Sequence, residues 1–309
     1  MESIPEKIDF NEVYSLYEGR RDEESQSVDV ESINILDRKG LQDRMNKVVQ
    51  NATSLYQQIG EDSSDGVLKD WPELRINSVP VLAQVVDESI PLSLLVMKTF
   101  KHDKHSNERS ETVKVELVRG RLEGDKPKDL YNAWRAELSA GNVVGGMEFA
   151  NRGEIFDLRD REVYAKFRKQ GFASMLLNSS EEFIRGMATD AQSSRIAQAG
   201  DVGQLDALCW LWNKGYRPQT DEEMDLIQKI FSGDSSLQLT TLNEPGGGQS
   251  LDLCIIDANT PEHERTRQNY HRIARKVNLV REIKPGDSKE VADVSADVAN
   301  KIKSLDPGE

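Results

Sequence analysis

The sequence predicts an α/β (α+β) fold: a central mixed, mostly antiparallel sheet flanked by helices, with extra helices at the N- and C-terminal ends. Three observations carry this. Strand-like apolar runs follow one another at 79–86, 91–100 and 111–120. Strands and helices then alternate from about residue 155 to 258. Helical spacing of apolar residues dominates the stretches on either side.

Residues 1–35 are acidic and Ser-rich around "RRDEESQSVDVES" and read as a flexible arm. In 36–70, Leu41, Met45, Val48, Ala52, Leu55 and Ile59 recur at spacings of four and three, which makes one apolar stripe. It suits a helix docking on its own domain, and the alternative is pairing with a second copy of the chain. "GEDSSDG" ends that helix. The second and third strand runs flank "KHDKHSNERS" as a hairpin loop. His102 and His105 in that loop have metal-like spacing but no third ligand nearby, so no metal is expected. "WRAELSAGNVVGGMEFANRGEIFDLRDREVY" reads as strand, turn, strand, turn, strand. A helix at about 172–190, a strand near "RIAQAG" and helices at about 203–214 and 221–232 follow, the last with an acidic first turn. "LQLTTLNEPGGGQSLDLCIIDA" reads as a hairpin around three glycines, and two amphipathic helices at about 260–281 and 287–304 close the chain.

The bulk numbers exclude several classes. No run of eighteen apolar residues is present, so no membrane span is expected, and the first residues lack a signal-peptide pattern. Cys209 and Cys254 sit in apolar segments and read as reduced core thiols in a cytoplasmic protein, where the "NAT" at Asn51 has no meaning as a glycan acceptor. The net charge is -14, and residues 1–70 hold 16 acidic against 8 basic side chains. With no basic stripe, nucleic acid is not an expected partner.

The chemistry concentrates in "VYAKFRKQGFASMLL", residues 163–177. Arg168 and Lys169 stand beside Gly171 and Ala173 where a strand gives way to a helix. One reading is an anion held by backbone amides at the helix start, which Gly171 lets come close because it has no Cβ. The other is a plain strand-to-helix turn with a solvated basic rim.

The hexapeptide Arg168-Lys169-Gln170-Gly171-Phe172-Ala173 resembles the signature of the GNAT superfamily of acyl-CoA N-acyltransferases, Arg/Gln-x-x-Gly-x-Gly/Ala. Val163, five residues before the Arg, and "GQLDALCWLWNKGY", a helix ending in Gly-Tyr, are similar to the family's pattern as well. The resemblance covers roughly 130–258, and it implies a GNAT-like acyl-CoA-binding domain over 71–258; it does not explain either end of the chain, and the C-terminal helical extension at 259–309 rests on its amphipathic pattern. By resemblance, acetyl-CoA is the cosubstrate, and Arg168 to Ala173 hold its pyrophosphate. Val163 and Tyr164 offer backbone groups to the pantetheine arm and thioester, and Gln204 takes the place of a common Asn. The implied activity is acyl transfer to a primary amine on a small molecule or a protein.

Asp157 lies eleven residues before the signature's first position, where the histone-modifying branch places its general base. Strand parity places it on one face with Val163, and Glu162 is the second candidate. The chain departs from the family at Leu211, which stands where a Tyr general acid is usual, between Trp210 and Trp212. Tyr216 falls at a core aromatic position. These departures keep a second reading open: a non-catalytic coenzyme A-binding or protein-interaction module.

Overall fold

The computed structural model describes residues 4–17, 31–58, 78–102, 109–124, 126–152, 155–187, 195–202, 204–234, 237–243, 249–257 and 277–284. In chain order the elements are α1 (Phe10–Ser15), α2 (Arg38–Gln58), β1 (Ser78–Asp87), β2 (Leu92–His102), β3 (Arg109–Arg119), α3 (Pro127–Ser139), β4 (Val143–Arg152), β5 (Ile155–Val163), α4 (Phe172–Gly186), β6 (Arg195–Val202), α5 (Leu205–Asn213), β7 (Arg217–Pro218), α6 (Asp221–Ser232), β8 (Leu237–Asn243), β9 (Gln249–Asp257) and β10 (Val277–Ile283). They form a mixed α/β protein with mostly antiparallel strands flanked by helices. Two compact units divide between residues 197 and 198, inside the span 71–258 that the sequence reading treated as one domain.

The larger unit is built on Val30–Ala197. Strands β1 to β5 form an antiparallel meander, each pairing with the next. Both faces are covered, so the strands are apolar in runs: Leu94, Leu95 and Val96 are all fully buried. On one face, rings connect the sheet to two helices. Phe149 of β4 meets Phe183 of α4 at 5.7 Å, and Phe183 meets Tyr56 of α2 edge-on at 5.5 Å. The stripe of α2 is covered here by its own chain: Leu41, Met45, Val48 and Ala52 are buried, and Val49 and Tyr56 widen it. Leu55 lies at its edge, 39% exposed, and Ile59 is outside the described residues.

On the opposite face α3 packs Tyr131 and Trp134 against Leu95, Met97, Val118 and Val143. This helix corrects the sequence reading, which began a strand at Trp134. Pro127 opens the helix in its first turn, where a missing N–H costs nothing, and Tyr131, Trp134 and Leu138 then recur at three and four. Trp134 Nε1 donates to Glu116 Oε2, and Lys114 Nζ pairs with Glu116 Oε1, so a carboxylate only 3% exposed is satisfied on both oxygens.

The smaller unit joins Met1–Asp29 to Gln198–Arg281. Strand β10 lies between β6 and β7, and β8 and β9 form a separate antiparallel pair; the three glycines that join them fall outside the described residues. Residues 277–281, expected at the end of a helix, belong instead to β10. Val277 and Leu279 are buried and Asn278 between them is not, an alternation that suits a strand. The rest of the helix expected at about 260–281, and the whole helix expected at about 287–304, lie outside the described residues. Helix α6 starts with a capping box between Thr220 and Glu223, and Glu223 Oε1 also accepts from the backbone and side chain of Asn278 in β10 at 3.0 and 3.1 Å.

Part of the expected N-terminal arm is packed into this unit. The Asn213 side chain accepts from Ile8 N and donates to Ile8 O, both at 2.7 Å. Val13 and Tyr17 are buried, and the Tyr17 hydroxyl donates to Ile230 O at 2.6 Å. An acidic composition hid these few apolar anchors.

Tyr17→Phe is expected to lower the unfolding free energy by about 0.5–1.5 kcal/mol, since it removes one of two bonds to the Ile230 carbonyl, which also accepts from Gly233 N at 3.2 Å; a urea melt reads this, and an unchanged midpoint would mean the bond contributes nothing. Burial, with Asp206 adding to it, pushes the Cys209 thiol from 9.0 up to about 12. In a Cys254→Ser background, Cys209 should therefore resist an aromatic disulfide reagent at pH 8 while folded and react in denaturant. Because the folded value lies above the unfolded one, this thiol's contribution to stability holds below about pH 9 and declines as the pH rises toward about 12.

Candidate functional site

Strand β5 leaves the sheet through Tyr164, whose N–H donates to Val144 O at 3.0 Å. Backbone groups alternate along an antiparallel strand, so the N–H and C=O of Val163 face the other edge of β5. A 3₁₀ turn at Ala165–Phe167 follows, anchored by the fully buried Phe167. Two left-handed residues complete the turn: Lys169 at φ 61° and Gly171 at φ 82°. Gly171 is the N-cap of α4 and supplies no side-chain cap to its first amides. Phe172 is buried and fixes the helix start against the core, while Ala173 is half-buried.

The signature side chains are engaged within the larger unit. Arg168 Nε donates to Val163 O at 2.9 Å. Gln170 does not face outward: its Oε1 accepts from Ile33 N and its Nε2 donates to Glu31 O, each at 2.8 Å. Lys169 is exposed, and Tyr164 is 38% exposed.

One residue at this turn escaped sequence reasoning. Arg38, the first residue of α2, donates from Nη1 to Gln170 O, and the same nitrogen is 3.1 Å from where a Cβ on Gly171 would sit. Burial lowers its pKa. A guanidinium beside the positive end of a helix dipole is electrostatically costly by itself, and an anion at the same place would relieve both charges. No local signal could have found Arg38, because it lies 132 residues from its acceptor. Lys166 and Arg119 add positive charge nearby; both pair with Glu31, at 3.4 and 2.9 Å.

The candidate acids stand differently from expectation. The pairing of β4 with β5 shifts register between Glu148↔Asp160 and Phe149↔Leu158, so Arg159 is an extra residue, a bulge. Asp157 pairs with Ala150 and Glu162 with Gly146, two positions on one face of β4, whereas Val163 pairs with Gly145 on the other. Asp157 therefore shares a face with Glu162 and not with Val163. The bulge inverted the parity on which the base assignment relied. Asp157 Oδ2 is also held by Arg152 at 3.4 Å and Arg159 at 3.6 Å, while Glu162 is exposed.

The remaining positions lie in the smaller unit. Gln204 is the N-cap of α5, with extended backbone and no side-chain cap bond. Leu211 and Tyr216 are fully buried, as packing residues are, and Trp212 Nε1 donates to Pro5 O at 3.0 Å. Among the described residues no group of three or more His, Cys, Asp or Glu could hold a metal ion, and no helix is long and apolar enough to cross a membrane. The side chain of His102 and all of His105 lie outside the described residues.

No family model matches this chain, and neither a curated protein nor a solved structure matches it.

Gly171→Ala is expected to destabilise the larger unit by about 1–2 kcal/mol, the cost of a Cβ in a left-handed backbone. Arg38→Ala, which removes the neighbouring guanidinium, should not reduce that cost if backbone strain is its source. A double-mutant cycle by urea denaturation checks both, and a coupling close to the whole effect would assign the cost to the Arg38 contact instead.

Proposed function

We propose that the chain is a GNAT-like N-acyltransferase that takes acetyl-CoA as cosubstrate and passes its acetyl group to a primary amine by direct attack. The observation that carries the reading is the start of α4. A left-handed glycine opens a fifteen-residue helix with no side-chain cap, and Arg38 and Arg168 flank the turn. Backbone amides, a helix dipole and guanidinium groups are the donor set that suits a pyrophosphate. Here Arg38 takes the part that the resemblance gave to Gln170.

In the reaction the amine nitrogen attacks the thioester carbonyl carbon. The C–N bond forms, the C–S bond breaks, the coenzyme leaves as thiolate and the amine loses a proton. The Val163 N–H, facing the edge of β5 away from β4, is the group suited to the developing oxyanion. Holding the amine against the thioester supplies the rest. Asp157 is assigned no part, because two guanidinium groups hold it. Glu162 is the remaining candidate base, exposed and adjacent to Val163.

A second reading, a coenzyme A-binding module without catalysis, is favoured by two particulars. Leu211 is fully buried where the family uses a Tyr acid, and the signature side chains of Arg168 and Gln170 serve the fold itself.

Acetyl-CoA should raise the melting temperature, since a ligand that binds the native state alone must do so. Release of free thiol over a panel of primary amines then separates the readings. Asp157→Asn should keep turnover within about threefold of the parent, whereas Glu162→Gln should lose about 10²-fold or more if it is the base. A thermal shift without thiol release on any amine selects the binding module. No shift at millimolar acetyl-CoA removes both readings.

A further inference from the structure

The segment that leads into α2 crosses the turn on which this site rests. Glu31 N donates to Lys166 O at 2.8 Å, and the Gln170 amide holds Glu31 O and Ile33 N, also at 2.8 Å. Ile33 and Ile35 are 5% and 8% exposed, so the segment is anchored by apolar burial. At its far end Arg38 donates to Gln170 O. At its near end the Glu31 carboxylate lies between Arg119 Nη1 at 2.9 Å and Lys166 Nζ at 3.4 Å, with all three side chains substantially exposed.

These contacts divide into two kinds. The isoleucines and the bond from Ile33 N to Gln170 Oε1 hold the backbone from residue 33 onward whatever the charge at residue 31. The Glu31 carboxylate does something separate: it neutralises two cations at the rim of an otherwise electropositive turn. Exposed ion pairs are weak and are screened by salt, so a carboxylate held only by them yields to a more highly charged anion.

We propose that residues 31–38 form an autoinhibitory strap, in which the Glu31 carboxylate occupies Arg119 and Lys166 in place of an anionic group of the ligand and is displaced by a polyphosphate. This rests on the reading of the α4 start as a coenzyme A phosphate site. The strap makes the turn selective for multiply charged ligands, because a single weak anion gains too little to displace Glu31. Displacement involves the first residue of the strap alone, and the isoleucine anchors stay in place.

The test is titration of coenzyme A into the full chain and into Glu31→Gln by calorimetry, with amide hydrogen exchange at Glu31 and Ile33 in the parent. Glu31→Gln should bind about threefold to tenfold more tightly, the range that two exposed ion pairs allow. Glu88→Gln, which removes the same charge from a carboxylate paired with Arg121 at 2.6 Å, should bind as the parent does. In the parent, coenzyme A should speed exchange at the Glu31 amide and leave that of Ile33 unchanged. Equal affinity of Glu31→Gln and parent, an equal gain in Glu88→Gln, or slower exchange at Glu31 with ligand overturns the strap and leaves the phosphate site standing. No binding to either Glu31→Gln or the parent overturns both.

Discussion

The larger unit depends on one ring, that of Phe183. It is fully buried, and it contacts Phe149 on the sheet and Tyr56 on α2 from its own place on α4. Three elements distant in sequence are therefore set against each other through a single side chain. Its position fixes how α4 lies over β4, and so where the first turn of that helix, eleven residues earlier, is presented. Lys98 closes the same neighbourhood. Its ammonium lies 4.5 Å over the Tyr56 ring and 3.1 Å from Glu111 Oε2, and the Tyr56 hydroxyl donates to that same oxygen at 3.2 Å. A lysine only 4% exposed is tolerated because both a carboxylate and a ring face it. Burial, with the Glu111 charge added, raises the Tyr56 pKa, so the phenol stays a neutral donor.

The two faces of the meander solve burial in different ways. The α2 and α4 face is aromatic and aliphatic, with Lys98 at one end. The α3 face mixes an apolar patch under Trp134 with the satisfied carboxylate of Glu116. A single extra residue at Arg159 decides which candidate group belongs to which face. Before it, Phe156 and Leu158 point into the core; after it, Glu162 is exposed and Val163 is half-buried. Glu162 and Val163 lie beyond that bulge, next to the turn and on opposite faces of the strand, whereas Asp157 lies before it and is held by Arg152 and Arg159.

What the sequence made legible follows from the range of the interactions. Strands β1, β2 and β3 were readable because apolar runs bounded by polar loops are local. The α2 stripe and the acidic first turn of α6 were readable for the same reason. Helix α3 was misread because "WRAELSA" was taken from its middle, without Pro127, which marks its start. Strand β10 was misread because "RIARKVNLVREI" satisfies a helical spacing as well as a strand's alternation, and only pairing with β7 decides between them. The bulge was invisible, since Arg159 looks like any outward-facing strand residue. Nor could periodicity reveal that Gln170 is bonded to residues 137 and 139 positions earlier.

That last pairing changes what the signature residues mean. A motif read in one dimension assigns each side chain to a ligand, yet Arg168 and Gln170 each close a bond within the protein. Arg168 caps the carbonyl of Val163 as the chain leaves β5, which stabilises the abrupt change of direction before α4. Gln170 uses both ends of its amide on the strap backbone, as a neighbouring strand would, and thereby brings Arg38 to the turn. The positive charge that the motif seemed to supply locally is delivered in part from the start of a different helix. Gly171 has a conformational role whatever binds beside it, because its backbone is left-handed, where a Cβ is costly. The turn therefore combines a rigid local element with a cation of distant origin, and the strap that carries this cation also carries the carboxylate that competes with an incoming anion.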